Sequence, residues 1–255
     1  ITVSTVNQQE AINIELIAAI KKGFALLDET SGAEVKRFVK SQQSDTGLFI
    51  NRAGTPDWYY SLFGAWIIRA LDMEVQQENL KTFIQSTQNQ KMQDVDYYAK
   101  LLIANLFEIN KIHRHSFYRF FRSLLKSSRI SPAYRLFLFL LNADMFFSRN
   151  NWIPFFLKTG LFFYRVKDDM PCSISAALLL AKNRAGKETG KDEKQLYTYF
   201  EKGKGFKVFR TTGTADLLST EVALFALKKS DADLRMAAPD ALDLVQQNFE
   251  KGAFF

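Results

Sequence analysis

The chain of 255 residues has one cysteine, Cys172, so no intrachain disulfide can form. That favours a reducing compartment and predicts a cytoplasmic protein. No run of apolar residues reaches the length that a membrane-spanning helix needs. The first residues, ITVSTVNQQ, carry neither a basic stretch nor an apolar one, so no secretory signal is expected there. Sustained apolar–polar alternation and Asn-Gly pairs are both missing, which predicts no β-sheet. There are two histidines, His113 and His115, and an i, i+2 pair on a helix points to different sides. Gly203-Lys204-Gly205 lacks the spacing and the Ser/Thr of a phosphate-binding P-loop.

What the chain does have is apolar mass. Hydrophobic residues make up 47%, with 24 phenylalanines and 9 tyrosines, enough for one large core. The net charge of +7 is local. Residues 109–167 hold eleven Lys/Arg against one acid, Asp144, so that segment carries +10 and the remainder −3. Such a distribution is unlike the spread-out surplus of a protein that coats nucleic acid.

Apolar periodicity predicts helices over 13–27, 32–41, 58–71, 80–85, 97–109, 116–128, 133–141, 152–166, 172–181, 196–200 and 241–249. Amphipathic helices alternate with helices that are apolar nearly all round and are expected to be buried on every side. The all-apolar ones start at Asp57, Asp96, about Pro132, Asp169 and Asp216, roughly 36 to 47 residues apart, a period typical of helical-hairpin repeats. Asp57, Asp169 and Asp216 are each followed at +4 by a hydroxyl (Ser61, Ser173, Thr220) and at +7 by a small residue (Gly64, Ala176, Ala223). Those positions share one helix face, where small residues are expected to let a neighbouring helix approach closely. Glycine-aromatic turns precede two of these helices, at Gly47 and Gly205, and a third such turn stands at Gly252-Ala-Phe254.

The sentence GFKVFRTTGTADLLSTEVALFAL, residues 205–227, and its counterpart at 47–71 resemble the repeat of protein prenyltransferase β subunits and of squalene and other terpene cyclases. The resemblance implies an all-α fold, an α/α toroid (barrel) of about five to six helical hairpin repeats, with 1–255 as a single α/α-toroid domain. It implies an isoprenoid or other lipid-like chain held in an aromatic central cavity. In protein prenyltransferases a zinc ion is held by an aspartate, a cysteine two residues later and a histidine three residues into a later helix. Here Asp169 matches the aspartate, Pro171 stands at the cysteine position with Cys172 one residue late, and Ser219 stands at the histidine position. The expectation is therefore no metal and no cofactor. In class II terpene cyclases an acidic cluster protonates an alkene, and Asp94-Val95-Asp96 is the nearest match, though two tyrosines follow it.

The candidate acids are thus Asp94, Asp96 and Asp57; the plainer reading of Asp96 is a helix cap. Trp58, Tyr59, Tyr60, Tyr97, Tyr98 and Tyr134 fall in first turns of inner helices and are the candidate ligand-binding set, with ordinary core packing as the alternative. His115, Arg119, Arg122, Lys126 and Arg129 share one helix face, either a solvated surface or a contact for an anionic membrane. Arg69, Lys100, Arg135 and Arg210 are the cations that a diphosphate would need to find converging. Three functions follow. One is a non-catalytic lipid binder and another is a cyclase or prenyltransferase-type enzyme that uses acids without zinc. The last is an interaction scaffold with a filled barrel.

Overall fold

The computed structural model describes residues 12–87, 92, 94–107, 109, 170–184, 186–211, 214–250, 253 and 254. Among these are nine helices and four two-residue strands, so the protein is mainly helical. Described residues 12–109 fall in one compact unit and 170–254 in another.

The first unit runs α1 (Ile12–Phe24), α2 (Glu29–Ser41), α3 (Trp58–Ala70), α4 (Glu74–Ser86) and α5 (Asp94–Leu106). α3 lies at its centre, touching the other four. α4 runs antiparallel to both of its neighbours. Gln77 Nε2 donates to the Ile68 carbonyl near the end of α3, while Phe83 stacks on Trp58 at its start. Lys81 lies over Phe107 beyond the end of α5, and Thr87 accepts from Lys100 in its second turn. α3 and α5 are therefore parallel, as in a row of helical hairpins.

The second unit repeats the plan with α6 (Cys172–Arg184), α7 (Gly190–Tyr197), β1 (Phe200–Glu201), β2 (Gly205–Phe206), α8 (Leu217–Lys229), α9 (Ala238–Asn248), β3 (Phe249–Glu250) and β4 (Ala253–Phe254). Cys172 Sγ meets the Ser219 carbonyl, and Asn183 Nδ2 donates to the Lys229 carbonyl, so α6 and α8 are parallel. Asp192 pairs with Lys182, and Tyr199 with Ser175, so α7 runs the other way.

The repeat is visible bond by bond. Asp57 and Asp216 both cap their helices from an extended conformation, each accepting at 2.9 Å from the backbone N–H three residues on. The +4 hydroxyl then reaches back to the hairpin before the helix. Ser61 Oγ accepts from the Phe49 N–H at 2.8 Å, and Thr220 Oγ1 from the Phe206 N–H at 2.9 Å. At +15 from each capping aspartate stands a further aspartate, Asp72 or Asp231, in the left-handed region. There the next N–H, of Met73 or Ala232, closes onto the Ile68 or Leu227 carbonyl five residues back. The close neighbour at +7 in the first unit is the hairpin before α3 and not, as expected, another helix: a Cβ on Gly64 would stand 2.4 Å from the Phe49 ring.

Three expectations change. β-structure is present after all: β1 pairs with β2 and β3 with β4, with isolated bridges at Gln43–Phe49 and Ile50–Pro56 in the first unit. Two-residue strands are too short to show alternation. The matching is also shifted. The pairings Gln43–Phe49 and Phe200–Phe206 make Phe49 the equivalent of Phe206, so Gly47 and Gly205, although both left-handed, are not counterparts. Finally, the apolar helices are not buried on every side. α6 is almost wholly enclosed, but α3 leaves Tyr59, Tyr60, Phe63 and Ile67 half-buried, and α8 leaves Leu218 and Glu221 exposed. Several boundaries move as well: α5 begins two residues before Asp96, α4 six residues before Leu80, and α7 six residues before Leu196.

Candidate functional site

Asp57 ends an extended segment whose N–H is held by the Phe49 carbonyl, and its side chain turns back to cap α3. Asp96 is the third residue of α5, inside the first turn, so it is not the residue that precedes the helix. Asp94 opens that helix, and its side chain lies outside the described residues. Because α3 and α5 are parallel neighbours, their starts adjoin. Both carboxylates are half-buried. Burial first, and then the charge of Asp57, holds the Asp96 carboxyl above the usual carboxylate range. One candidate acid, Asp57, thus bears on a second, Asp96, across helices far apart in sequence.

This has a measurable sign. With its pKa raised in the folded state, Asp96 holds more proton when folded than when unfolded. Stability then declines as pH rises from the ordinary aspartate value to the raised one, and stays at that lower level above it. Asp96→Asn is expected to stabilise the protein at neutral pH and to lose that advantage in acid below the usual aspartate range. Urea denaturation of both proteins at the two pH values is the measurement. An advantage that is the same at both, or absent at neutral pH, would contradict the assignment.

The aromatic set divides. Trp58, 8% exposed, stacks on Phe83 with ring centroids 5.7 Å apart, and Tyr98 is 1% exposed; both belong to the core. Tyr59, Tyr60 and Tyr97 are half-buried and line the same end. Tyr59 meets Phe63 edge to face at 4.8 Å, and Phe63 meets Trp66 at 5.5 Å, which gives α3 a continuous aromatic flank. Tyr134 lies outside the described residues.

Lys100 stands one turn after Asp96 on the same helix face. Its ammonium donates to the Thr87 carbonyl and to Thr87 Oγ1, and sits 5.3 Å from the centre of the Trp58 ring. Burial lowers its pKa. Arg69 is exposed in the last turn of α3, at the other end of that helix. In the second unit Arg210 lies over the Tyr199 ring at 5.8 Å. Arg135 is outside the described residues, as are the five basic residues His115, Arg119, Arg122, Lys126 and Arg129.

Among the described residues the donors do not fit zinc. Cys172 is fully buried and its thiol is pushed up to about 12, by burial first and then by Asp216. Its Sγ donates to the backbone carbonyl of Ser219, the residue standing where the resemblance needs a histidine. Asp169 is outside the described residues. Among the described residues no group of three His, Cys, Asp or Glu could hold a metal, and no helix is long and apolar enough to cross a membrane.

Sequence reasoning named the carboxylates and the tyrosines but treated each helix alone. It missed Thr87 and Phe63. It also missed the left-handed aspartates, although a second aspartate 15 residues after Asp57 and after Asp216 was there to read. No protein-family model, no curated protein and no solved structure matches the chain.

Proposed function

We propose that the protein binds an isoprenoid or other lipid-like chain, as a divergent relative of the prenyltransferase and terpene-cyclase toroids. The observation that carries this reading is the first-unit cluster of half-buried aromatic side chains, Tyr59, Tyr60, Phe63 and Tyr97, beside the starts of α3 and α5. Half-buried rings beside the buried Trp58 and Tyr98 suit contact with a flexible apolar chain, with phenol groups to orient its polar end. The same set of bonds, found once in each unit, supports the toroid architecture that goes with it.

Titrating the purified protein with farnesol, followed by intrinsic fluorescence, tests this. Saturable binding is expected, weakened about tenfold by Tyr59→Ala or Tyr97→Ala, the size of one good aromatic contact. Absence of saturable binding, or unchanged affinity in both variants, would rule it out.

A second reading rests on Asp96, whose carboxyl keeps its proton to higher pH than usual beside the Asp57 charge. That pairing suits proton donation to an alkene, with Asp96 as the acid and Asp57 as the anion that restrains it. Product formation from a polyunsaturated isoprenoid that disappears in Asp96→Asn would support it; wild-type protein that leaves such substrates unchanged would not.

A further inference from the structure

We propose that Lys100 is a positioning residue: by tying the end of α4 to the second turn of α5 above Trp58, it fixes where Asp96 and Tyr97 stand against the start of α3. The inference builds on the lipid-binding reading, because it concerns the same end of the same helices.

The repeat itself leads to Lys100. In sequence Lys100 stands four residues after Asp96, as Ser61 and Thr220 stand after their aspartates, but Asp96 lies inside α5, so Lys100 is the seventh residue of its helix where the two hydroxyls are the fourth of theirs. Those hydroxyls reach back 12 and 14 residues to a backbone group ahead of the helix. Lys100 reaches back 13 residues, to Thr87. Its contact has the opposite polarity: the hydroxyls accept from an N–H, and the ammonium donates to a carbonyl. The acceptor also differs in kind. Thr87 is the C-cap of α4, where the last carbonyls carry partial negative charge, and a cation suits that place. The longer side chain passes Trp58 on the way and gains a cation–π contact with α3. Lys100 thus touches three helices, while Ser61 and Thr220 each join one helix to its own hairpin.

This tie sits one turn from Asp96. The charge that bears on Asp96 is that of Asp57 at the start of α3; Lys100 stands one turn further along its own helix, and Lys81 of α4 lies over Phe107 near the opposite end of α5. Loosening the Lys100–Thr87 tie leaves the first turn of α5 free to shift relative to Asp57 and Tyr59.

The test is the titration of the Asp96 carboxyl by carbon-13 NMR in wild type, Thr87→Val and Lys100→Met, with farnesol affinity measured in parallel. Thr87→Val leaves the Lys100 charge in place and removes the hydroxyl partner, so a changed Asp96 midpoint there reports position. Lys100→Met keeps an apolar stem over Trp58 and removes all donors. Both variants are expected to displace the Asp96 midpoint, Lys100→Met more, and to weaken farnesol binding by about threefold or more. An Asp96 midpoint in both that coincides with wild type would overturn the proposal. If Lys100→Met does not fold, Thr87→Val alone decides. Wild-type protein that binds no farnesol sinks the lipid-binding reading but leaves the Asp96 titration to judge Lys100.

Discussion

Gly47→Ala is expected to cost about 2 to 5 kcal/mol, lowering the melting temperature by roughly 5 to 15 °C for a chain of this size. Two effects add. Gly47 has φ +88°, a conformation an L side chain adopts only with strain. A Cβ there would also stand 2.5 Å from the carbonyl oxygen of Asn79, which belongs to the backbone of α4 and cannot swing aside. The turn that precedes α3 is therefore pressed directly onto α4, and Gln43 secures it by donating to the carbonyls of both Gly47 and Gln76. Gly54→Ala is the internal comparison. Gly54 also has positive φ, at +76°, but a Cβ there meets nothing within 4 Å. It should show the conformational cost alone, about 1 to 2 kcal/mol. Thermal denaturation of the two variants side by side separates the contributions. Equal losses would mean that contact with α4 is not what requires glycine at 47.

Thr220→Val is expected to cost about 1 to 3 kcal/mol, the range for leaving a buried donor without a partner. Valine preserves the shape of the side chain but removes the oxygen that takes the Phe206 N–H, and both residues are buried. Thr220→Ser restores that oxygen and should recover most of the loss. Ser61→Ala in the first unit removes two bonds, since its hydroxyl also donates to the Asp57 carbonyl at 2.6 Å. Its cost should match or exceed that of Thr220→Val. Chemical denaturation with a constant m-value is the appropriate measurement. A valine variant within about 0.5 kcal/mol of wild type, in the ordinary range for surface changes, would show that the hydroxyl has no tying role.

The repeat was legible because its defining residues are chemically exclusive. A capping aspartate, a hydroxyl at +4 and a small residue at +7 recur at Asp57 and Asp216; the aspartates cap as expected, while the hydroxyl's tie to the hairpin was not foreseen and the close neighbour of Gly64 is Phe49 of that hairpin rather than another helix. The hairpins were not legible, because a strand of two residues has no period to detect. Neither was the split among the aromatics. Trp58 and Tyr59 are adjacent in sequence and equally apolar in context, and only packing against Phe83 sends one inward while the other stays half-open. The coupling of Asp57 to Asp96 joins residues 39 positions apart through the parallel packing of α3 and α5, which no local pattern reveals. Lys100 read from sequence as a departure from the repeat, and in the structure it is one: it donates to Thr87 at the end of α4, where Ser61 and Thr220 accept from their hairpins.

One detail of the ties bears on how such a chain tolerates change. The segment between the anchored phenylalanine and the anchoring hydroxyl spans 12 residues in one copy and 14 in the other, yet both end in the same bond. The intervening stretch in the first unit, Arg52 to Pro56, is exposed and curls on itself through the Asn51 side chain. Length there is uncoupled from the core, so this crossover is where the architecture has room to accept foreign peptide, reporter tags or natural variation without retuning the helices on either side.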